Sequence, residues 1–376
     1  MIPVPLDPAS AVPLDLDSPE IDTPAVLIDL DIVDANIDRM AASARRQGVA
    51  LRPHVKTHKS ARFARAQSVA GAVGITVSSS TEAEEFAAAG FDDLVLAYPV
   101  VGRRKLDRLL PLIDAGVVTL LADSIEVAEG YRALGIGTGR TVPVLIEVDS
   151  GMHRSGVLPS DVGGVGAEIA RMRELEIAGI LTHAGHAHNV ATRPEIAAVA
   201  RDEARAMQQA REGLESRGIP VPVVSAGSTI TAPYLSAADG ITEIRPGTYV
   251  FNDLRTLESF ACTPDQIAAT MLTTIVSVRG RRATIDAGNK SLTMTRTPAH
   301  EFGHLLGRSD AVITHLSEEH GVLTLSADDP AIHVGQRVRA VPVHVCVWMD
   351  LQTEVYGMRG GRILERIAVD AMRHSL

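Results

Sequence analysis

Leu51-Arg52-Pro53-His54-Val55-Lys56-Thr57-His58-Lys59 is the stretch from which the rest of the chain can be read. The apolar run 49–51 enters it, and a helical pattern starting near His58 leaves it. Lys56 is therefore expected at the C-terminal mouth of a β-strand, the end where β/α enzymes carry their chemistry. Arg52 and two histidines flank it, and positive or hydrogen-bonding neighbours can lower an amine's pKa. An amine so lowered can form a Schiff base with a carbonyl. On this stretch alone, a solvated lysine after a strand is an equal reading.

Outward from Lys56, short apolar runs alternate with amphipathic helical patterns. The strand candidates are 49–55, 74–78, 93–97, 117–121, 142–148, 176–182, 221–225 and 241–245. Helical spacing covers 31–46, stopped by Gly48, and 81–89, 124–134, 159–173 and 194–217. Eight such units match a closed β/α barrel, typically about 250 residues long. An open doubly wound sheet would carry G-x-G-x-x-G after its first strand, and none is present. Beyond about residue 260 the pattern changes to strands with little helix: 270–278, 281–286, 311–316, 322–325, 337–341 and 343–347. The expectation is an α/β fold with an extended arm over 1–23, a barrel over 24–260 and a β domain over 261–376, which the run 25–30 could join.

A chain of 376 residues is long for one core and suits two domains. Its 36 basic and 46 acidic residues give a net charge of −10 without Lys/Arg runs, which argues against nucleic acid or an anionic membrane as partner. No apolar stretch approaches the roughly 20 residues that span a bilayer. The start, Met1 to Ile21, carries Pro and Asp instead of a basic segment and an apolar core, so no signal peptide is expected. Cys262 and Cys346 make no disulfide framework, which fits a reducing cytoplasm.

Chemically able residues gather where barrel strands should end. After 142–148 comes Asp149-Ser-Gly-Met-His-Arg154-Ser-Gly156, whose glycines permit a tight turn aiming Arg154 into the mouth. After 176–182 comes His183-Ala-Gly-His186-Ala-His188, a metal site or a set of proton-transfer groups. Ala226-Gly227-Ser228-Thr229 offers hydroxyls and N–H groups to a phosphate, though most such runs are plain turns. Pro246-Gly-Thr-Tyr249 adds a phenol. In the β domain, His344-Val-Cys346 would share one face of a strand and suit zinc or another borderline ion; a buried thiol beside a satisfied imidazole is the plain alternative. His300 and His304 lie in a polar loop and are expected at the surface.

Taken together, 52–59, 147–156, 182–186, 226–229, 245–249, 286–288, 317–321 and 344–346 resemble the fold-type III pyridoxal-phosphate enzymes. The resemblance is to the branch holding D-threonine aldolase and eukaryotic-type D-serine dehydratase, relatives of alanine racemase, and it runs in order along nearly the whole chain. It implies an alanine-racemase-like (β/α)8 barrel, a C-terminal β domain and a homodimer. It further implies that Lys56 holds pyridoxal 5'-phosphate covalently and moves the Cα proton, and that Arg154 faces the pyridine nitrogen. Gly227, Ser228 and Thr229 would grip the phosphate, with Thr182 and Tyr249 completing the cofactor pocket. His344 and Cys346 would bind a divalent metal (Zn, Mn or Mg) that reaches the β-hydroxyl of a D-3-hydroxy amino acid.

That contact serves two reactions. Removal of the hydroxyl proton splits Cα–Cβ to glycine and an aldehyde, whereas prior loss of the Cα proton lets hydroxide leave, giving ammonia and a keto acid. Within the branch, aldolases tend to carry His where this chain has His188, and dehydratases Tyr. The His-x-Cys pair points instead to dehydratases acting on D-serine or D-3-hydroxyaspartate. D-threonine aldolase, with His188 as the hydroxyl base, is the expectation, because His188 bears on the bond broken. An amino-acid racemase lacks an identifiable second base here, and a non-catalytic cofactor-binding protein would need no β domain of about 115 residues.

Overall fold

A computed structural model describes residues 14–327 and 330–372, so most of the expected arm lies outside the described residues. These residues fold as two compact units: 38–56 with 63–247, and 14–37 with 57–62 and 248–372. Strand β1 (Ala25–Asp29) and helix α1 (Leu30–Gln47) open the chain.

The first unit carries eight parallel strands: β2 (Ala50–Leu51), β3 (Ile75–Val77), β4 (Leu94–Leu96), β5 (Val118–Ala122), β6 (Val142–Val148), β7 (Leu175–Thr182), β8 (Val223–Ala226) and β9 (Glu243–Ile244). They are ordered β2-β9-β8-β7-β6-β5-β4-β3. The ends meet through a His54–Thr76 bridge, with Val73 N donating to Leu51 O (2.9 Å) and Thr76 N to Pro53 O (2.8 Å). The barrel expected from the alternation is therefore present. Helices α2 (Ala61–Val69), α3 (Ser80–Ala88), α4 (Arg103–Ala115), α5 (Ile125–Thr138), α6 (Val162–Ile169) and α7 (Arg193–Glu215) connect its strands. Val95, Leu121, Leu145 and Leu181 form one apolar layer across four neighbouring strands.

Two barrel elements are shorter than their patterns. The run 49–55 forms a ladder only at Ala50 and Leu51, with an isolated bridge at His54, because Pro53 has no N–H to donate to a ladder. The expected helix 159–173 is helical only over Val162–Ile169, where three glycines weaken it. Those glycines serve packing: a Cβ on Gly163 would strike Gly213 O of α7, and one on Gly166 would strike Leu214.

Arg52 leaves β2 into an ion network in which it and Glu243 are buried and Asp93 is half-exposed. Its Nε donates to Glu243 Oε2 (2.7 Å), and its Nη1 and Nη2 hold both oxygens of Asp93 (2.7 and 3.0 Å). Ser225 Oγ supplies the other Glu243 oxygen (2.5 Å). Arg52→Met would leave a buried Glu243 charge without its cation, at a cost of about 3–5 kcal/mol. We expect the urea midpoint to fall at unchanged slope; a midpoint within error of the wild type would show the network to be dispensable.

In the second unit, β1 is joined by β10 (Ala269–Arg279), β11 (Arg282–Ile285), β12 (Gly303–Leu305), β13 (Arg308–Leu316), β14 (Gly321–Leu325), β15 (Arg337–Pro342), β16 (Glu354–Arg359) and β17 (Arg362–Ala368). The nine strands run β11-β14-β13-β12-β15-β10-β1-β16-β17, and β10 also pairs with β11, so six strands close on themselves and three extend the sheet. Ile21, Leu27, Leu272, Met358 and Ile363 pack together at the extension. The short helices are α8 (Leu254–Glu258), α9 (Asn289–Leu292) and α10 (Val345–Met349).

Here one expectation is corrected. Residues 343–347 are not a strand: β15 stops at Pro342, and α10 begins after His344. Asp253 Oδ2 accepts from Val345 N (3.1 Å) and fixes the first turn, while Trp348 is fully buried. His344 and Cys346 therefore flank a helix start instead of sharing a strand face.

The six residues after Lys56 belong to this unit. Lys59, at φ 50, places its ammonium 2.5 Å from Asp350 Oδ1. Ala61 N donates to Asp370 Oδ2 (2.7 Å), Arg62 pairs with Glu365 (3.1 Å), and Ala371 N donates to Lys59 O (3.0 Å).

Candidate active site

Lys56 lies in the 3-10 turn Val55–Thr57 that follows β2. His54 N donates to Pro246 O (3.0 Å), which ties the turn to the chain after β9. His54 and His183 are held well below the usual imidazole pKa, first by burial, then by the charges of Lys56 and Arg245. Arg154 and His188 act on His183 as well. The barrel unit thus gathers Lys56, Arg154 and His188 from three separate segments into one electrostatic neighbourhood.

Arg245 is the buried cation of this group. Its Nη1 donates to Ser225 Oγ (2.6 Å) and its Nη2 to Thr182 O. Burial pushes its pKa down to about 10, against the pull of Glu243, Glu203 and Glu147. Arg154 is half-exposed and 3.7 Å from Glu147, whose own pKa is raised by burial. Asp149 closes the turn before Arg154 by accepting from Gly151 N (2.9 Å) and His153 N (3.0 Å). The Thr182 hydroxyl donates to Val148 O (2.7 Å) and lies 2.8 Å from Ser150 Oγ. After β8, Ser228 N donates to Thr231 Oγ1 (3.0 Å), and Ser228 Oγ accepts from Ile230 N (3.2 Å).

The two neutral histidines make stability pH-dependent. Their folded pKa values lie below the unfolded 6.5, so the unfolded chain binds more protons as pH falls. Their contribution is complete above about pH 6.5 and is lost below it, by at most about 1.4 kcal/mol per pH unit for each. Unfolding of the cofactor-free protein at pH 7.5 and 5.5 checks this. His183→Gln should flatten the dependence; an unchanged slope would count against a neutral His183.

The β unit holds the imidazole and thiol. His344 Nδ1 lies 2.9 Å from Asp253 Oδ2, and His344 also hydrogen-bonds Cys346. Burial opposes charge on His344, but Cys346 and Asp253 outweigh it and raise the pKa to about 10. Cys346 Sγ is 3.3 Å from Thr57 Oγ1 and 3.8 Å from Thr248 Oγ1. A carboxylate on Nδ1 orients an imidazole so that its other nitrogen can meet a metal, and imidazole with thiolate suits a borderline ion. Among the described residues, no group of three His, Cys, Asp or Glu side chains is placed to hold an ion. A divalent ion on this pair would complete its shell with water or substrate oxygen. Tyr249 is buried in the nearby turn Thr248–Val250. His300 and His304, expected at the surface, are half-buried, with their rings tilted at 53° and ring centres 5.7 Å apart.

Two contributors escaped the reading of the sequence. Asp253 sits in a capping box with Thr256 at the start of α8, a D-x-x-T signal that accounts for one of its oxygens and hides the use of the other. Glu203 is an interior residue of α7 with no local signal at all.

The barrel's donor set fits a phosphorylated aldehyde: an amine in a cationic field, two neutral imidazoles, and the hydroxyls of Ser228 and Thr229 on one turn. Residues 28–254 match the family model "Alanine racemase, N-terminal domain", and 268–358 match "Putative serine dehydratase domain". The D-threo-3-hydroxyaspartate dehydratase of Delftia sp. (strain HT23) is 38% identical over 348 residues, covering 87% of this chain and 91% of that one. The D-threonine aldolase of Arthrobacter sp is 32% identical over 347 residues, covering 91% and 90%. The solved Delftia enzyme superposes with a TM-score of 0.88 at 34% identity over 94% of this chain and 98% of that one. Its solved variants include a His→Ala form and, two residues further on, a Cys→Ala form that is metal-free. D-threonine aldolase from Filomicrobium marinum superposes with a TM-score of 0.89 at 27% identity, covering 98% and 100%.

Proposed function

The chain belongs to the alanine racemase N-terminal domain family and is a pyridoxal-phosphate-dependent lyase, and from that premise we propose that it cleaves D-3-hydroxy amino acids such as D-threonine to glycine and an aldehyde. In this reading residues 24–260, apart from 24–37, 57–62 and 248–260, which fold with the β unit, are the cofactor-binding barrel, and 261–376 are the metal-carrying β domain of a cytoplasmic homodimer. When bound, the cofactor supplies the sink for the electron pair left on Cα. Lys56 would hold it covalently and give a proton to Cα after the bond breaks. Arg154 would serve the ring nitrogen, with Thr182 and Tyr249 lining the pocket. Gly227, Ser228 and Thr229 would serve the phosphate. His188 would take the β-hydroxyl proton, after which the C–O electrons close to a carbonyl and the Cα–Cβ pair moves to the Cα side. His344 and Cys346 would bind a divalent metal that lowers the pKa of that hydroxyl.

The observation carrying this reading is that His188 shares the neighbourhood of Lys56, where a second proton acceptor is required. A specific observation favours the alternative, an ammonia-lyase acting on D-3-hydroxyaspartate or D-serine. The His-x-Cys spacing of His344 and Cys346 is also that of the paired Delftia variants. In that case Lys56 removes the Cα proton and hydroxide leaves from Cβ.

Incubation with D-threonine and D-threo-3-hydroxyaspartate separates the two. Glycine with aldehyde is expected; ammonia with a 2-keto acid as the main products would overturn the aldolase reading. His188→Gln should lower the retro-aldol kcat by about 10²–10⁴.

A further inference from the structure

Glu203 is fully buried in α7. Its Oε1 accepts from Gly227 N at 2.9 Å, and its Oε2 has no hydrogen bond among the described residues. Gly227 directly follows β8 and opens the turn that the proposed function assigns to the phosphate.

A buried acid is costly to keep unless it satisfies groups that would otherwise be orphaned. Here it satisfies an N–H in the loop itself. Gly227 stands at φ 82, a conformation that an L side chain rarely adopts, so the loop backbone is set by this residue. With its N–H engaged by Glu203, Gly227 contributes shape to the loop, and the donors left for an anion are those that follow it.

We propose that Glu203 is the positioning residue of the phosphate-binding turn, holding Gly227 N so that Ser228 and Thr229 are preset for the cofactor's phosphate. The proposal rests on the cofactor reading above. It concerns reach and acceptor capacity, not charge. The amide of Glu203→Gln has the same length and still offers a carbonyl oxygen to Gly227 N. Glu203→Asp keeps the carboxylate but is one methylene shorter and cannot span the 2.9 Å contact without moving the helix.

The test is the affinity of the cofactor-stripped full chain for pyridoxal 5'-phosphate and for pyridoxal, which lacks the phosphate, followed by absorbance. In the wild type, pyridoxal phosphate should bind the tighter of the two. Glu203→Asp should weaken pyridoxal phosphate by tenfold or more and pyridoxal by less than threefold, while Glu203→Gln keeps the wild-type preference. Equal losses for both probes would reduce Glu203 to a structural residue, and no loss in either variant would also overturn the proposal. If Glu203→Asp does not fold, Glu203→Ala replaces it beside Glu203→Gln: a phosphate preference lost in the alanine variant and kept in the glutamine variant supports the role, and a preference alike in both refutes it. A wild type that binds neither probe would sink the cofactor reading itself, a result distinct from all of these.

Discussion

Lys56→Ala is expected to abolish covalent capture of pyridoxal phosphate and to lower turnover by about 10⁴-fold or more. The amine has two tasks in the proposed chemistry, holding the cofactor and moving the Cα proton, so no single replacement supplies both. The nearest lysine in sequence, Lys59, is committed to Asp350 at 2.5 Å. Each tenfold loss is 1.36 kcal/mol of barrier, so the expected loss is about 5 kcal/mol or more. The measurement is the absorbance of the dialysed holoenzyme beside product formation from D-threonine. A variant that keeps both the absorbance and more than about a hundredth of the rate would show that another residue carries the cofactor.

Loss of the divalent ion should be nearly as severe. EDTA treatment is expected to lower kcat by about 10²–10³, since Lewis-acid help to a hydroxyl is worth several kcal/mol. Readdition of Mn or Zn should restore the rate. His344→Ala should reproduce the loss without rescue at ordinary ion concentrations. Asp253→Asn should weaken metal affinity by about 10–100-fold, because the carboxylate orients the His344 ring at 2.9 Å. Unchanged turnover in protein shown by elemental analysis to be metal-free would remove the ion from the reaction.

How much of this was legible before any coordinates depends on the range of the interactions. The run 142–148 coincides with β6, because it is mostly apolar, long and free of proline after its second residue. Local punctuation explains the misses nearby: Pro53 cut short the strand expected before Lys56, and glycines cut short α6. At 343–347, alternation suggested a strand, yet a carboxylate from residue 253 fixes a helical turn there. No periodicity within five residues can report an acceptor about ninety positions upstream. Lys56, His188 and the His-x-Cys pair were readable because they sit in compact motifs. Glu203 and Arg245's buried partners were not, because burial is decided by which helix lies over which strand.

The docking of 57–62 among residues near the C-terminus has a consequence for biosynthesis. Ala61 N finds Asp370 only across 309 positions of chain. At about 5–20 residues per second, a ribosome that has made the lysine turn needs roughly 15–60 s more before that acceptor exists. A polypeptide released before Asp370 is made therefore carries the lysine turn without this anchor.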